Sequence, residues 1–173
     1  MTTGDQEAGQ RAVSVDPRQR SHDICPGGAG NASEGYGTHP EEIAELLEAV
    51  GKSMMVLSFR EDRSFAALSV ERFGTVGSTR LDWSGAVVIE RSESFDADEL
   101  RRLVASCAAA DELAVVFWSN LAVPSVAVEA AVVAGHAEAV LECSPECWIY
   151  LTDSEVLIEF QDGEGFTVGS VPR

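Results

Sequence analysis

The chain has 173 residues, with 12 Lys and Arg against 29 Asp and Glu, for a formal net charge of −17. That length suits one domain whose core needs no disulfide or metal staple. The charge argues against a general binder of nucleic acid, which needs clustered cations to neutralise phosphates. The longest apolar run, Leu113 to Trp118, is far short of a membrane span of roughly 20 residues.

Residues 1–37 read as a disordered tail. They are rich in Gly, Gln, Ser and Arg and nearly devoid of aliphatic side chains, so they cannot bury enough surface to offset the entropy of ordering. A single domain is expected over 38–173. Residues 1–24 contain no apolar stretch of the kind a secretory signal requires. A cytoplasmic location follows as the expectation, with Cys25, Cys107, Cys143 and Cys147 as free thiols.

The domain opens with a helix at Pro40. Ile43, Leu46, Leu47 and Val50 fall on one stripe, Glu41 and Glu42 occupy the first turn, and Gly51 stops it. Met54–Phe59 and Phe65–Val70 read as strands of a hairpin turning at 61–63, with helix as the alternative for 64–72. Arg80–Trp83 and Ala86–Glu90 flank Ser84-Gly85 as a second hairpin. Asp96 and Glu99 then make a capping-box pattern, with Phe95 placed to staple onto Leu100. Leu100, Leu103, Val104 and Cys107 continue the stripe of that helix as far as Asp111. Leu113–Trp118 reads as a strand covered on both faces.

Residues 121–142 suit either a buried helix over Val126–Ala134 or a β-branched strand. Cys147–Thr152, Glu155–Phe160 and Phe166–Val171 read as three strands joined by turns. In the middle one Val156, Ile158 and Phe160 share a face, and Glu155, Leu157 and Glu159 share the other. The expected fold is therefore α+β. It has a largely antiparallel sheet of about 6–8 strands with two or three helices packed on it.

Few residues suggest catalysis. His136-Ala137-Glu138 and Cys143-Ser144-Pro145-Glu146-Cys147 contain the residue types of the zinc-binding pattern in nucleobase deaminases. The spacing departs from it: Pro145 lies between the cysteines, and only Ala139 to Glu142 separate the two halves. A plain zinc site on His136, Cys143 and Cys147 is a weak alternative, and small buried thiols at strand ends are the favoured reading. Gly74-Thr75-Val76-Gly77-Ser78-Thr79 lacks the lysine of a phosphate loop and reads as a turn. His136 is the only histidine well inside the domain, which leaves little for a nucleophilic relay. No cofactor is expected, and an enzyme is the less favoured class.

What remains is the distribution of charge. From Leu103 to Pro172 there is no Lys or Arg, while acids recur throughout. Lys52 is the only lysine, a bias that fits a GC-rich bacterial genome, so inherited composition competes with function as the cause. A one-sign field of this extent steers a basic protein partner. The leading expectation is a small acidic binding protein, in the manner of an immunity protein or antitoxin that occludes a nuclease toxin. It would have no direct contact with nucleic acid or membrane. The residues expected to meet the partner are Asp153, Glu155, Glu159, Asp162 and Glu164, with Trp83 as an aromatic anchor. A small-ligand binder or enzyme with a pocket between sheet and helices is the alternative.

Overall fold

A computed structural model describes residues 35–77 and 79–173. The expected tail therefore lies, for residues 1–34, outside the described residues. Tyr36, inside the span read as tail, is packed. Its hydroxyl donates to Leu57 O at 3.1 Å and accepts from Ser125 N at 3.1 Å.

A 3-10 turn, Pro40–Ile43, leads into helix α1, Ala44–Val50, which Gly51 ends at φ 66°. Strand β1 is only Met55–Val56, and helix α2 spans Phe59–Leu68. The hairpin expected over 54–70 does not form. Ser58 and Glu61 make a reciprocal capping box, each side chain accepting from the other's backbone N–H, and this starts a helix where a turn was expected. A further 3-10 turn, Val70–Arg72, follows.

Strands β2, Gly74–Val76, and β3, Arg80–Asp82, pair with each other as a separate ribbon. The second expected hairpin is also absent. The Asp82 side chain caps a 3-10 turn at Trp83–Gly85, and strand β4, Val88–Ser92, leaves the ribbon to pair with the last strand of the main sheet.

Helix α3, Ala97–Cys107, starts as expected, with Asp96 Oδ1 accepting from Glu99 N at 2.9 Å. Phe95, placed to staple onto Leu100, is 53% exposed, and Leu100 is fully buried. Strand β5 is Leu113–Trp118. The ambiguous stretch contains both elements: strand β6, Val126–Glu129, then helices α4, Ala130–Gly135, and α5, Ala137–Glu142. Strands β7, Glu146–Leu151, β8, Val156–Gln161, and β9, Gly165–Ser170, complete the chain.

The result is an α+β fold. Its seven-stranded sheet has the order β1-β6-β5-β7-β8-β9-β4, and every pairing is antiparallel. Side-chain alternation sends Ala114, Val116, Ile149, Leu151, Ile158 and Val168 to one face. There they meet Ile43 and Leu46 of α1, Leu100, Leu103 and Val104 of α3, Val133 of α4 and Val140 of α5. Val115, Phe117, Tyr150 and Leu157 point to the other face. The segment 57–86 covers them with Leu57, Ala66, Phe73, Leu81 and Trp83. The sheet is thus a middle layer. None of the helices among the described residues is long and apolar enough to cross a membrane.

Candidate functional site: an acidic end of the sheet

Antiparallel pairing puts the start of β7, the end of β8, the start of β9 and the end of β4 at one end of the sheet. The β8–β9 turn projects there, and a groove of about 690 Å³ lies on each side of it.

The helix-side groove runs between the start of α3, α5 and the segment before β7. Phe95, Leu141, Pro145 and Phe160 supply apolar walls, and Asp96, Asp98, Glu138, Glu142 and Asp162 supply carboxylates. Glu138 and Glu142 stand four residues apart and so share one face of α5. The single cation, Arg101, is paired with Asp98, and its Nε donates to Ala134 O at 3.2 Å. Among the described residues, Glu138, Glu142 and Asp162 have no basic partner. The acidic surface continues past this groove onto the Pro40–Ile43 turn and α1, where Glu41, Glu42, Glu45 and Glu48 are exposed. Helices α1 and α5 are in contact, and burial pushes the Cys143 thiol up to about 11, with further push from the nearby Glu142, Glu42 and Glu45.

The hairpin-side groove lies between the sheet and the β2–β3 ribbon. Asp82, Glu93, Glu159 and Glu164 face it, together with Arg80 and Arg91. Arg80 is paired with Glu164, and Arg91 donates to Thr167 Oγ1 at 3.3 Å. Around the two grooves, the buried Glu159 aside, there are eight carboxylates against three guanidinium groups. Two of those guanidinium groups are already paired with acids of the same site.

The six residues expected to meet a partner are dispersed. Asp162 lines the helix-side groove and Glu164 the hairpin-side groove. Asp153 and Glu155 are exposed in the β7–β8 turn, at the far end of a six-residue strand, ~20 Å away. They share no patch with Asp162 and Glu164.

Glu159 requires a correction. It is 3% exposed, and its carboxylate accepts from Leu81 N at 2.8 Å, Trp83 Nε1 at 2.6 Å and Trp148 Nε1 at 3.3 Å. Trp83 is 7% exposed and stacks edge-on with Phe73, ring centroids 4.8 Å apart. The pair is an internal tie between β8 and the covering segment. The alternation in β8 correctly separates Glu159 from Val156, Ile158 and Phe160. The face opposite that core is buried as well, because 57–86 folds over it.

His136, Cys143 and Cys147 do not form a ligand set. Cys147 lies fully buried in the helix-face core, where burial pushes its thiol up. The Cys143 thiol donates to Ala139 O at 3.1 Å, and His136 sits at the junction of α4 and α5. Among the described residues no three His, Cys, Asp or Glu side chains converge to hold a metal ion.

Glu112 was not singled out by the sequence. It is 3% exposed and accepts from the amides of Asp153 at 2.9 Å and Ser154 at 2.7 Å, and from Ser154 Oγ at 2.8 Å. Burial works to raise this carboxyl, and the Ser154, Asp153 and Ala109 donors outweigh it, so it ends below its ordinary value. It clamps the turn that carries Asp153 and Glu155. Its isolation between Asp111 and a strand makes it look like any surface acid. No protein-family model and no curated protein matches this chain.

Proposed function

We propose that the chain is a small acidic binding protein that occludes a basic protein partner through the two grooves and the β8–β9 turn between them. The observation that carries this reading is the excess of carboxylates there, with Arg80 and Arg101 already committed to internal pairs. Such a field attracts Lys and Arg and repels phosphate, which favours a protein partner over nucleic acid. Phe95, 53% exposed at the rim of the helix-side groove, adds the apolar contact from which an interface draws most of its affinity. The concrete form is an immunity protein or antitoxin, whose carboxylates occupy the cations a nuclease toxin uses to hold phosphate.

The test is native mass spectrometry of the protein purified from its own cells at low salt. We expect a complex with a basic protein that dissociates as salt rises. Combining Glu138→Gln, Glu142→Gln and Asp162→Asn should weaken it at least tenfold, while Asp153→Asn at the far end should leave it intact. A bare chain, or a complex indifferent to the triple variant, overturns the reading. A small-ligand pocket is the second reading, favoured by one observation: each groove's volume falls in the range that takes a small molecule. A bound small molecule in the same spectrum would support it.

A further inference from the structure

A third cavity, of about 270 Å³, lies at the opposite end of the sheet, lined by Leu68, Arg72, Tyr150, Glu155, Val171 and Arg173. Its chemistry is unlike that of the acidic grooves. Arg63, Arg80, Arg101 and Arg102 are all paired with carboxylates. Among the described residues Lys52, Arg60, Arg72, Arg91 and Arg173 have no carboxylate partner, and of these Arg72 and Arg173 share one cavity. The Arg72 guanidinium reaches only the carbonyls of Ala67 and Pro172, each at 3.4 Å. In a chain with 29 acids and 12 bases, two such cations around one cavity are a departure from its general composition.

The floor supplies a second, independent observation. Tyr150 is 5% exposed, its ring packed in the core with Phe117 and Leu157. Its hydroxyl has no hydrogen-bond partner among the described residues, yet it is not one of their sealed, unpartnered polar atoms. The ring is buried and lines the cavity, so the cavity is where the hydroxyl finds its opening. Burial, the largest influence, keeps the phenol protonated, and it is therefore a donor. The hydroxyl is thus an accessible donor with no protein acceptor, free to pair with water or with an accepting ligand in the cavity.

We propose that this cavity binds a small oxyanion, a phosphate or carboxylate group, held by the guanidinium groups of Arg72 and Arg173 and by the Tyr150 hydroxyl. Arginine suits such groups because its planar donors match their oxygens. Three acids also face Tyr150: Glu155, Asp153 and Glu112. Glu112 is occupied by backbone amides. Glu155 lines the cavity from a left-handed backbone conformation, φ 50°. Its charge opposes an anion and sets the affinity.

The full chain should be titrated with inorganic phosphate, and separately with acetate, at constant ionic strength, following backbone amide shifts by NMR. Saturable shifts confined to Tyr150, Val171 and Arg72 are expected. Saturation by phosphate, by acetate or by both supports the site and names the source of the oxyanion. Tyr150→Phe keeps the ring and should weaken binding about tenfold. Glu155→Gln should tighten it several-fold, the opposite of what a cation site would show. Asp162→Asn, at the other end, should change nothing. Shifts that never saturate or scatter over the surface, equal binding by Tyr150→Phe, or weaker binding by Glu155→Gln would each overturn the proposal.

Discussion

The two faces of the sheet are covered by different means. On one face, four helices bury a largely aliphatic surface, and apolar contact area dominates the layer, with Arg102 of α3 also paired to Glu90 of β4. On the other, the cover is one ten-residue helix and a two-stranded ribbon, an arrangement with little stability of its own. A polar tie supplements the packing there. Glu159 reaches from β8 to Leu81 N and Trp83 Nε1, and Gly169 in β9 leaves room for the Trp83 ring. A layer held by area loses stability gradually with lost contacts, and it does so with the whole core. A layer held by a few buried polar groups can be released by one substitution. The segment 57–86 should therefore open at lower free energy than the helix face.

The largest effect is expected from Leu103→Ala, which empties a fully buried site on the helix face. It should cost ~2–5 kcal/mol in denaturant unfolding and weaken both layers together. A loss below about 1 kcal/mol would show that this face is not the principal core.

Glu159→Ala tests the other layer. It removes the acceptor of Leu81 N and Trp83 Nε1, at a net cost of roughly 1–3 kcal/mol because the cover can open and hydrate those donors. Amide exchange should accelerate over 57–86 and stay slow in α3 and β5. Uniform acceleration would erase the distinction between the faces. Gly169→Ala should have a smaller effect, about 1–3 kcal/mol. An added Cβ would lie 2.8 Å from the Trp83 ring and against Val87 O. Pairing it with Trp83→Leu should recover part of the loss, measured as a coupling in a double-mutant cycle.

The mildest test is acid. The Glu112 carboxyl lies below its ordinary value in the folded protein. Its contribution is therefore complete above the unfolded value of about 4.3 and fades as pH falls through the lower folded value. Glu99, held down to about 2 by its hydrogen bonds with Arg102 and Ser92, behaves in the same direction. Stability should thus decline from about pH 4.5 downward, and Glu112→Gln should flatten part of that decline. An unchanged slope in Glu112→Gln would remove Glu112 as a cause.

Charge also separates the two ends of the sheet. At the β8–β9 end the acids other than Glu159 lie at the surface around grooves. At the β7–β8 end one acid, Glu112, is folded inward to fix a turn, and two cations flank a cavity. The acidic surface was legible only as an excess in the chain. Its position required knowing that α1 lies beside α5, and that the loop before β7 adjoins the start of α3.

The amino-acid sequence by itself determined the elements with strong local causes. These are α3 with its Asp96 cap, the apolar strand β5, the three C-terminal strands with their turns, and the α+β class. Each rests on interactions within a few residues, and these survive any packing. Local reading had the means to find α2 as well, since Ser58 and Glu61 carry a capping box, but the apolar run before them suggested a strand. Tertiary structure alone decided that β4 joins β9, that 126–142 divides between the sheet and two helices, and that Glu159 and Trp83 are internal. A period of two assigns a side chain to a face. Whether that face meets water depends on what a distant segment does, and contacts across such separations leave no mark in the local pattern.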